Sequence, residues 1–317
     1  MTVGFGDRVA AQVSARRSQL VLGLDPDPSR LWPRALELAA GAGASSLELA
    51  GAAEAPPADR AAFAVAVHCT MLIDAAAEHC VAVKPQVACF ERLGAPGWAA
   101  LREVVTRARE HDLLVIADAK RGDIDVTASA YAQAYFGTTQ TPYGEVEGLG
   151  VDALTVNPLL GADSLEPLVT AARNHGGGLF ALVRTSNPGA ADVQERRLAQ
   201  EGSVSDALAQ IVASLGEPGI GSSGLSDIGA VVGATAPERI QGLRAQMPAA
   251  IFLLPGVGAQ GGRVEDLAPA FAPGPGGGLV TVSRGIAAAH ERTGGDPADA
   301  AQKEAARLRE LAWSLVS

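Results

Sequence analysis

Four charged side chains lie close together in the run Asp118-Ala119-Lys120-Arg121-Gly122-Asp123. Asp118 and Lys120 are two positions apart, and on an extended segment such residues point to the same side of the chain. A carboxylate beside an ammonium group keeps the lysine charged and also places a negative charge where a substrate charge can be destabilised. Asp123 follows a glycine turn, so its side chain can face elsewhere. The run indicates charge-based catalysis, and a salt-bridged surface loop is the alternative.

A second group of residues has the character of a phosphate site. The segment Pro255-Gly256-Val257-Gly258-Ala259-Gln260-Gly261-Gly262 is rich in glycine, and such backbone exposes N–H groups that can hold phosphate oxygens. Ser283 and Arg284 follow the next apolar run, and a guanidinium adds a bidentate cation. These residues predict an anion-binding site; a glycine-rich turn with a structural arginine is the alternative.

The elements that carry these residues are eight short apolar runs separated by stretches with helical spacing. Near-continuous apolar runs are typical of parallel strands that are buried on both faces. Eight strand-helix alternations predict a (β/α)8 barrel, a single-domain α/β fold. A doubly wound sheet is the alternative, but no GxGxxG sequence follows the first run. The predicted strands are 19–25, 80–85, 113–118, 153–158, 179–185, 228–233, 251–256 and 279–285.

In such a barrel the site lies at the carboxyl ends of the strands. Asp25 and Asp118 end the first and third predicted strands, Lys84 is the second-last residue of the second, and Lys120 follows the third. Two lysines and two aspartates that meet at one barrel mouth are costly unless they pair, so we expect a mutual network. The presence of Lys84 therefore favours a catalytic site over a surface salt-bridge run.

We expect one domain, 1–317, with loop insertions near 39–59, 137–150 and 216–226. The segment 137–150 is expected to be a polar loop. Helical spacing of apolar residues predicts helices at 61–78, 97–110, 164–174, 236–245 and 300–315.

Composition narrows the function classes. With 25 basic and 35 acidic residues the net charge is −10, and aromatic residues make up 4%, which argues against a general nucleic-acid binder. A small anionic ligand is compatible with this, since a few local cations suffice. Three cysteines suggest a reduced cytoplasmic protein. We expect no signal peptide, no membrane span and no membrane partner.

Taken in order, these segments resemble the orotidine 5'-phosphate decarboxylase family. The resemblance extends from about Leu20 to Ile286 and is carried by DAKRGDI, VRTSNPGA and LPGVGAQGG, which are similar to the longer bacterial branch of that family. It implies a cofactor-free barrel, without a metal, that converts orotidine monophosphate to UMP and carbon dioxide. It also implies a homodimer with a shared active site.

The resemblance implies four catalytic positions. Lys120 matches the lysine that protonates C6 as carbon dioxide leaves. Asp118 matches the aspartate that faces the departing carboxylate, and Lys84 the lysine that connects the charged row to the ribose. Asp123 matches the aspartate that the partner subunit contributes.

The substrate-binding positions follow in the same way. Asp25 matches the acceptor of a ribose hydroxyl, and Thr127 accompanies Asp123 at the same ribose. Ser186 matches the serine that recognises the pyrimidine edge. Gln260 and Arg284 match the phosphate ligands, and the remaining expected substrate contacts are Pro255, Val257 and Ser283. The chain departs from the family pattern at the three insertions and at Asn157-Pro158.

Two other functions share parts of this pattern. Sugar-phosphate decarboxylases and aldol-type synthases have the same D-x-K-x-x-D spacing but use magnesium; the Ser186 turn and Gln260 favour the nucleotide. A non-catalytic nucleotide-binding barrel is expected to have lost Lys120 or a carboxylate. A zinc site at His68-Cys69 and His79-Cys80 is disfavoured because neither pair has the usual ligand spacing.

Overall fold

The computed structural model describes residues 3–41, 55–199 and 202–316. Eight parallel strands close into a barrel in the order β1-β10-β9-β8-β7-β6-β3-β2, so strands that follow one another along the chain are neighbours. This confirms the predicted (β/α)8 barrel. The strands of the described residues are β1 Leu20–Leu24, β2 Ala82–Pro85, β3 Leu114–Arg121, β4 Thr138–Thr141, β5 Gly144–Glu147, β6 Ala153–Val156, β7 Gly178–Arg184, β8 Ile228–Val232, β9 Phe252–Leu254 and β10 Gly278–Val282.

Side chains alternate between the inside and the outside of the barrel wall. On β3, Leu114 and Ile116 belong to the inner apolar cluster, whereas Val115 and Ala117 pack outward against the helices. The same alternation carries the inner face of the strand on to Asp118. Apolar strand residues therefore fill the barrel, and its polar residues gather at the carboxyl ends.

Helix α1 (Phe5–Arg16) covers the amino ends of the strands. Phe5, Val9 and Val13 are fully buried and join the inner cluster, and the Phe5 ring meets the Phe180 ring edge-on at 5.9 Å. The lower end of the barrel is thus filled by apolar side chains, which leaves the opposite end as the mouth.

The outer layer consists mainly of helices, and the five predicted ones are present with ends shifted by a few residues. The described residues also contain several that the sequence did not indicate, including one after β3 and one before β8. The helices after α1 are α2 Pro33–Gly41, α3 Pro57–Ala76, α4 Val87–Glu91, α5 Ala95–Glu110, α6 Asp125–Tyr135, α7 Glu166–Asn174, α8 Ala190–Val193, α9 Val204–Gly216, α10 Pro237–Gln246, α11 Arg284–Ala287, α12 Ala289–Thr293 and α13 Pro297–Trp313.

The segment Pro57–His79 is long and apolar enough to cross a membrane by length and composition, contrary to the expectation that no stretch would be. Most of it is buried, because α3 packs against α2, α5 and α13. Burial against other helices accounts for its apolar composition without a bilayer.

The three expected insertions differ in structure. Residues 137–150 were predicted as a loop, and this is wrong: β4 and β5 form an antiparallel hairpin in which Thr139 pairs with Val146. The two strands consist mainly of threonine, glutamate and glutamine and are mostly exposed, so they carry no strand pattern of apolar residues. Residues 216–226 contain a short 3-10 turn and an isolated bridge between Ile220 and Ser226. Of the 39–59 segment, residues 42–54 lie outside the described residues.

Candidate active site

A cavity of about 540 Å³ opens at the carboxyl ends of the barrel strands. Its lining comes from loops and strand ends far apart in sequence, as the barrel requires. Ten of the twelve predicted site residues line it: Asp25, Lys84, Asp118, Lys120, Ser186, Pro255, Val257, Gln260, Ser283 and Arg284.

Asp118 lies at the centre of a charged row. Its Oδ2 accepts a hydrogen bond from Lys84 Nζ at 2.5 Å, and its Oδ1 accepts one from Lys120 Nζ at 2.5 Å. The side chains of Lys84 and Asp118 are 6% and 10% exposed, whereas that of Lys120 is 45% exposed. Three of the four residues of the expected network thus pair, whereas Asp25 is exposed and acts on Lys84 only through its charge. Lys120 is left as the cation that an entering ligand can meet.

The electrostatics of the row follow from this geometry. Burial by itself raises the pKa of Asp118, but the charges of Lys84 and Lys120 outweigh burial and hold that pKa well below its usual range. Burial opposes the charge on Lys84, yet Asp118 and then Asp25 raise the Lys84 pKa above its ordinary value. The carboxylate and the Lys84 ammonium are therefore both ionised at neutral pH.

Two partners of Asp118 were missed by the sequence analysis. Thr155 Oγ1 donates to Asp118 Oδ1 at 2.9 Å, and Gln86 Nε2 donates to Oδ2 at 3.2 Å. Thr155 is the one hydroxyl in the apolar strand β6, which could have identified it. Asn157, where the sequence departs from the family pattern, follows this strand, and its side chain accepts from Leu159 N at the start of a 3-10 turn.

The backbone at Lys120 is unusual. Its φ is +51°, a left-handed conformation that costs a residue with a Cβ about 1–2 kcal/mol. The register between β3 and β6 shifts between Ala117 and Arg121, which marks a β-bulge around Lys120. Bulges redirect a side chain, and this one brings Lys120 Nζ onto Asp118 Oδ1.

The loop after β9 and the end of β10 form the anion side of the cavity. Gly256 and Gly258 have φ of +102° and +76°, and Gly262 N donates to Gly256 O, so the segment folds back as a compact turn. Gln260 and Arg284 are exposed at its edge. Among residues 3–41, 55–199 and 202–316, Arg284 has no carboxylate partner within ion-pair distance. An anion at this edge would meet a free guanidinium.

The turn that carries Ser186 is fixed by its neighbours. Gln194 Oε1 accepts from Thr185 N at 2.8 Å, and Thr235 Oγ1 donates to Ser186 O at 3.0 Å. The strand before the turn is anchored by an ion pair from Arg184 to Glu195 at 2.6 Å. Ser186 is therefore held at the cavity wall, after β7, which only β6 separates from β3.

Asp123 and Thr127 are the two predicted site residues that do not line this cavity. Asp123 Oδ1 accepts from Ile124 N at 2.8 Å, and Thr127 is exposed on α6. The neighbouring apolar side chains Ile124 and Val126 are 52% and 83% exposed. Asp123 and Thr127 thus lie beside an uncovered apolar surface outside the cavity.

The two His-Cys pairs are buried around α3. His68 Nδ1 accepts from Trp32 N at 3.2 Å, and burial, with a smaller effect of His290, lowers the pKa of His68 to about 4. Burial raises the pKa of Cys80 to about 12. Within the described ranges no group of three or more His, Cys, Asp and Glu side chains is arranged to hold a metal ion.

Comparison with known proteins gives a consistent result. Residues 18–303 match the model of the orotidine 5'-phosphate decarboxylase / HUMPS family. A protein of Deinococcus radiodurans named orotidine 5'-phosphate decarboxylase is 39% identical over 293 residues, 90% of each chain. One of Haloarcula marismortui with the same name is 38% identical over 90% of this chain and 88% of its own. The crystal structure of a putative orotidine 5'-phosphate decarboxylase from Streptomyces avermitilis superposes with a TM-score of 0.75 and 32% identity, covering 100% of this chain and 97% of that one.

Proposed function

The chain belongs to the orotidine 5'-phosphate decarboxylase / HUMPS family, and we propose how its own residues convert orotidine 5'-phosphate to UMP and carbon dioxide, the last step of de novo pyrimidine nucleotide synthesis. The observation that carries the proposal is the row Lys84–Asp118–Lys120 at the floor of a nucleotide-sized cavity. The row combines a fixed carboxylate with an accessible ammonium group.

Lys120 is the proton donor. When the bond between C6 and the carboxylate carbon breaks, its electron pair stays on C6 and carbon dioxide leaves. A proton from Lys120 Nζ then forms the new C6–H bond, and the neutral lysine regains a proton from water. An ammonium group already held in place stabilises the developing carbanion without reorganisation at the moment of reaction. The 45% exposure of its side chain supports this role, because the ammonium group faces the cavity.

Asp118 faces the substrate carboxylate. Its four donors leave it no freedom to turn away, so a second carboxylate placed beside it is destabilised until carbon dioxide departs. The low pKa of Asp118 supports this role, since protonation would otherwise relieve the repulsion. Lys84 neutralises the charge of Asp118 from the buried side of the row and extends toward the ribose.

Binding energy from the rest of the nucleotide offsets that repulsion. Gln260 and Arg284 hold the phosphate, with the glycine-rich backbone around Val257 beside them. Ser186 recognises the pyrimidine edge, and Asp25 accepts from a ribose hydroxyl. Pro255 and Ser283 complete the wall. Because the phosphate is remote from the reacting bond, its binding energy is available for strain at the carboxylate.

The second part of the proposal is a homodimer with shared sites. Asp123 and Thr127 serve the substrate of the partner subunit. Supporting this, they border an exposed apolar surface at the barrel mouth that an isologous contact would cover. The exposed apolar side chains in the segments that follow β3 and β6 are Ile124, Val126, Leu159 and Leu160, which are 52%, 83%, 70% and 54% exposed.

The protein acts as one domain in the cytoplasm. The buried, unpaired thiols of Cys69 and Cys80 support a reducing compartment. The assay for the function is the loss of ultraviolet absorbance when purified protein meets orotidine 5'-phosphate in EDTA. Turnover that disappears with EDTA and returns with magnesium would instead favour the aldol-type branch, and nucleotide binding without turnover a non-catalytic barrel.

A further inference from the structure

The hydroxyl of Thr155 contacts both the backbone of Lys120, the proposed proton donor, and the carboxylate that binds the Lys120 ammonium group. Thr155 Oγ1 accepts a hydrogen bond from Lys120 N at 2.9 Å and donates one to Asp118 Oδ1 at 2.9 Å. The same Asp118 oxygen also accepts a hydrogen bond from Lys120 Nζ. The Lys120 backbone therefore binds the Thr155 hydroxyl directly, and the Lys120 ammonium group is connected to the same hydroxyl through Asp118 Oδ1. Thr155 is 1% exposed, so water cannot substitute for this hydroxyl without rearrangement of the wall.

The hydroxyl takes the place of a missing strand contact. Ladder pairing between β3 and β6 holds at Ala117, is interrupted by the bulge, and resumes where Arg121 pairs with Val156 and Asn157 N donates to Arg121 O at 2.8 Å. Lys120 N lies where the pairing of β3 with β6 is interrupted. It donates to the Thr155 side chain, whereas in a regular ladder it would donate to a carbonyl oxygen of the neighbouring strand. Thr155 thus satisfies the backbone N–H of Lys120 at the point where the strand pairing is interrupted.

The outer side of the bulge is fixed as well. The Arg121 side chain points away from the cavity, forms an ion pair with Glu91, and lies over the rings of Tyr131 and Tyr135 at 5.3 and 5.8 Å. With Arg121 anchored outside, the inner contact decides where Lys120 itself sits.

Resting on the function proposed above, we infer that Thr155 is a positioning residue for the reaction: its hydroxyl holds Lys120 in the strained conformation that aims Nζ at the reacting carbon. Thr155 transfers no proton to substrate. Its removal is expected to slow the chemical step while leaving the product site intact, because the phosphate and pyrimidine contacts come from other strands.

The experiment measures kcat, KM, the UMP Kd and the melting temperature of four proteins. Thr155→Val removes the hydroxyl and keeps the shape, and Thr155→Ser keeps the hydroxyl. Thr70→Val is the control, since Thr70 lies on α3 outside the cavity and its hydroxyl donates to Val67 O of its own helix at 2.9 Å. The wild type is measured first, because its inactivity on orotidine 5'-phosphate would overturn the proposed function and the positioning role with it.

We expect Thr155→Val to lower kcat by about 10- to 100-fold, the loss for a hydrogen bond to a charged group, with the UMP Kd within about threefold of wild type. Thr155→Ser should recover most of that kcat, and the kcat of Thr70→Val should stay within about twofold of wild type because the hydrogen bond that it removes lies outside the cavity.

An active wild type with an unchanged Thr155→Val kcat would overturn the inference. So would a parallel loss of kcat, UMP affinity and melting temperature that serine does not rescue, since that pattern belongs to packing alone. If the valine variant does not fold, Thr155→Ala is compared with Thr155→Ser, a pair that differs only in the hydroxyl. Equal kcat values in that pair would overturn the inference too.

Discussion

Lys84 Nζ lies 2.5 Å from Asp118 Oδ2, and both side chains are at least nine-tenths buried. A buried ion pair gains little net stability over apolar packing, since desolvation offsets the attraction, yet removing one partner is strongly destabilising. The pair therefore fixes the position and charge of Asp118 more than it strengthens the fold. Lys120 then meets a carboxylate that is already oriented.

Removing the proton donor should stop turnover without disturbing the site. We expect Lys120→Ala to reduce kcat by at least about 1,000-fold, since it removes a general acid and a pre-placed charge. Its UMP Kd and its circular dichroism spectrum should resemble those of wild type, because Asp118 keeps its ion pair with Lys84. Lys303→Ala, at the only lysine outside the row, is the control and should retain full activity. Lys120→Ala with more than a few per cent of wild-type kcat would exclude this role.

Asp118 should make the free energy of unfolding fall as the pH is lowered into the acid range. Its folded pKa lies below the ordinary value of 3.8, so between the two pKa values the unfolded chain binds a proton that the folded chain does not. Its contribution is thus present above about pH 4 and lost as the pH falls through the folded pKa.

The comparison is urea unfolding of wild type and Asp118→Asn at pH 7 and pH 3. At pH 7 the variant should be less stable by about 3–5 kcal/mol, the cost of leaving buried charge uncompensated. At pH 3 the difference should be smaller. Exposed Asp163→Asn serves as control, and a gap that stays constant or widens in acid contradicts the low pKa.

Recognition of the substrate's phosphate group should depend on Arg284. We expect Arg284→Ala to lower kcat/KM for orotidine 5'-phosphate by about 100-fold or more, since a charge-assisted contact and the binding energy that it supplies are both lost. The nucleoside orotidine should be processed as by wild type. Arg263→Ala, on the same rim but paired with Glu265, should change little. Equal losses on nucleotide and nucleoside would rule out the phosphate contact.

A shared site predicts subunit complementation. Lys120→Ala and Asp123→Ala homodimers should each be nearly inactive, because both of their sites lack one group. In an isolated hybrid, one site carries both substitutions and the other carries neither, so about half of the wild-type activity per dimer should return. Differently tagged chains allow the hybrid to be purified after co-expression. A hybrid as inactive as its parents would place Lys120 and Asp123 in one chain's site.

Arg244 should matter for stability alone. It is 5% exposed and donates to the carbonyl oxygens of Met247, Ala250, Ala270 and Gly277 at 2.6 to 2.9 Å. Arg244→Leu leaves these acceptors without donors and should lower the free energy of unfolding by at least about 3 kcal/mol. Exposed Arg307→Leu should cost no more than about 1 kcal/mol. Chemical denaturation measures both, and equal effects would contradict this account.

The barrel could be predicted because parallel strands that are buried on both faces appear in the sequence as short, nearly continuous apolar runs. The run 113–118 and its seven counterparts are apolar on both faces, and barrel closure then places their ends together. Ten of the twelve predicted site residues line the cavity for this reason. Helix α9 had its own signal, since Ser203 and Asp206 form a capping box that the apolar pattern did not use.

Other features depend on contacts between distant parts of the chain. The hairpin β4–β5 pairs exposed polar residues, and such pairing leaves no apolar alternation. The spacing of Asp118 and Lys120 indicated a shared side, but a bulge and a left-handed backbone bring their charges together. Thr155 lies 37 residues from Asp118, and only the register between β3 and β6 makes it a partner. Residue type and periodicity thus determined the barrel and its charged groups, whereas strand register decided which donor meets which acceptor, because a hydrogen bond needs a donor–acceptor distance of roughly 2.7–3.2 Å.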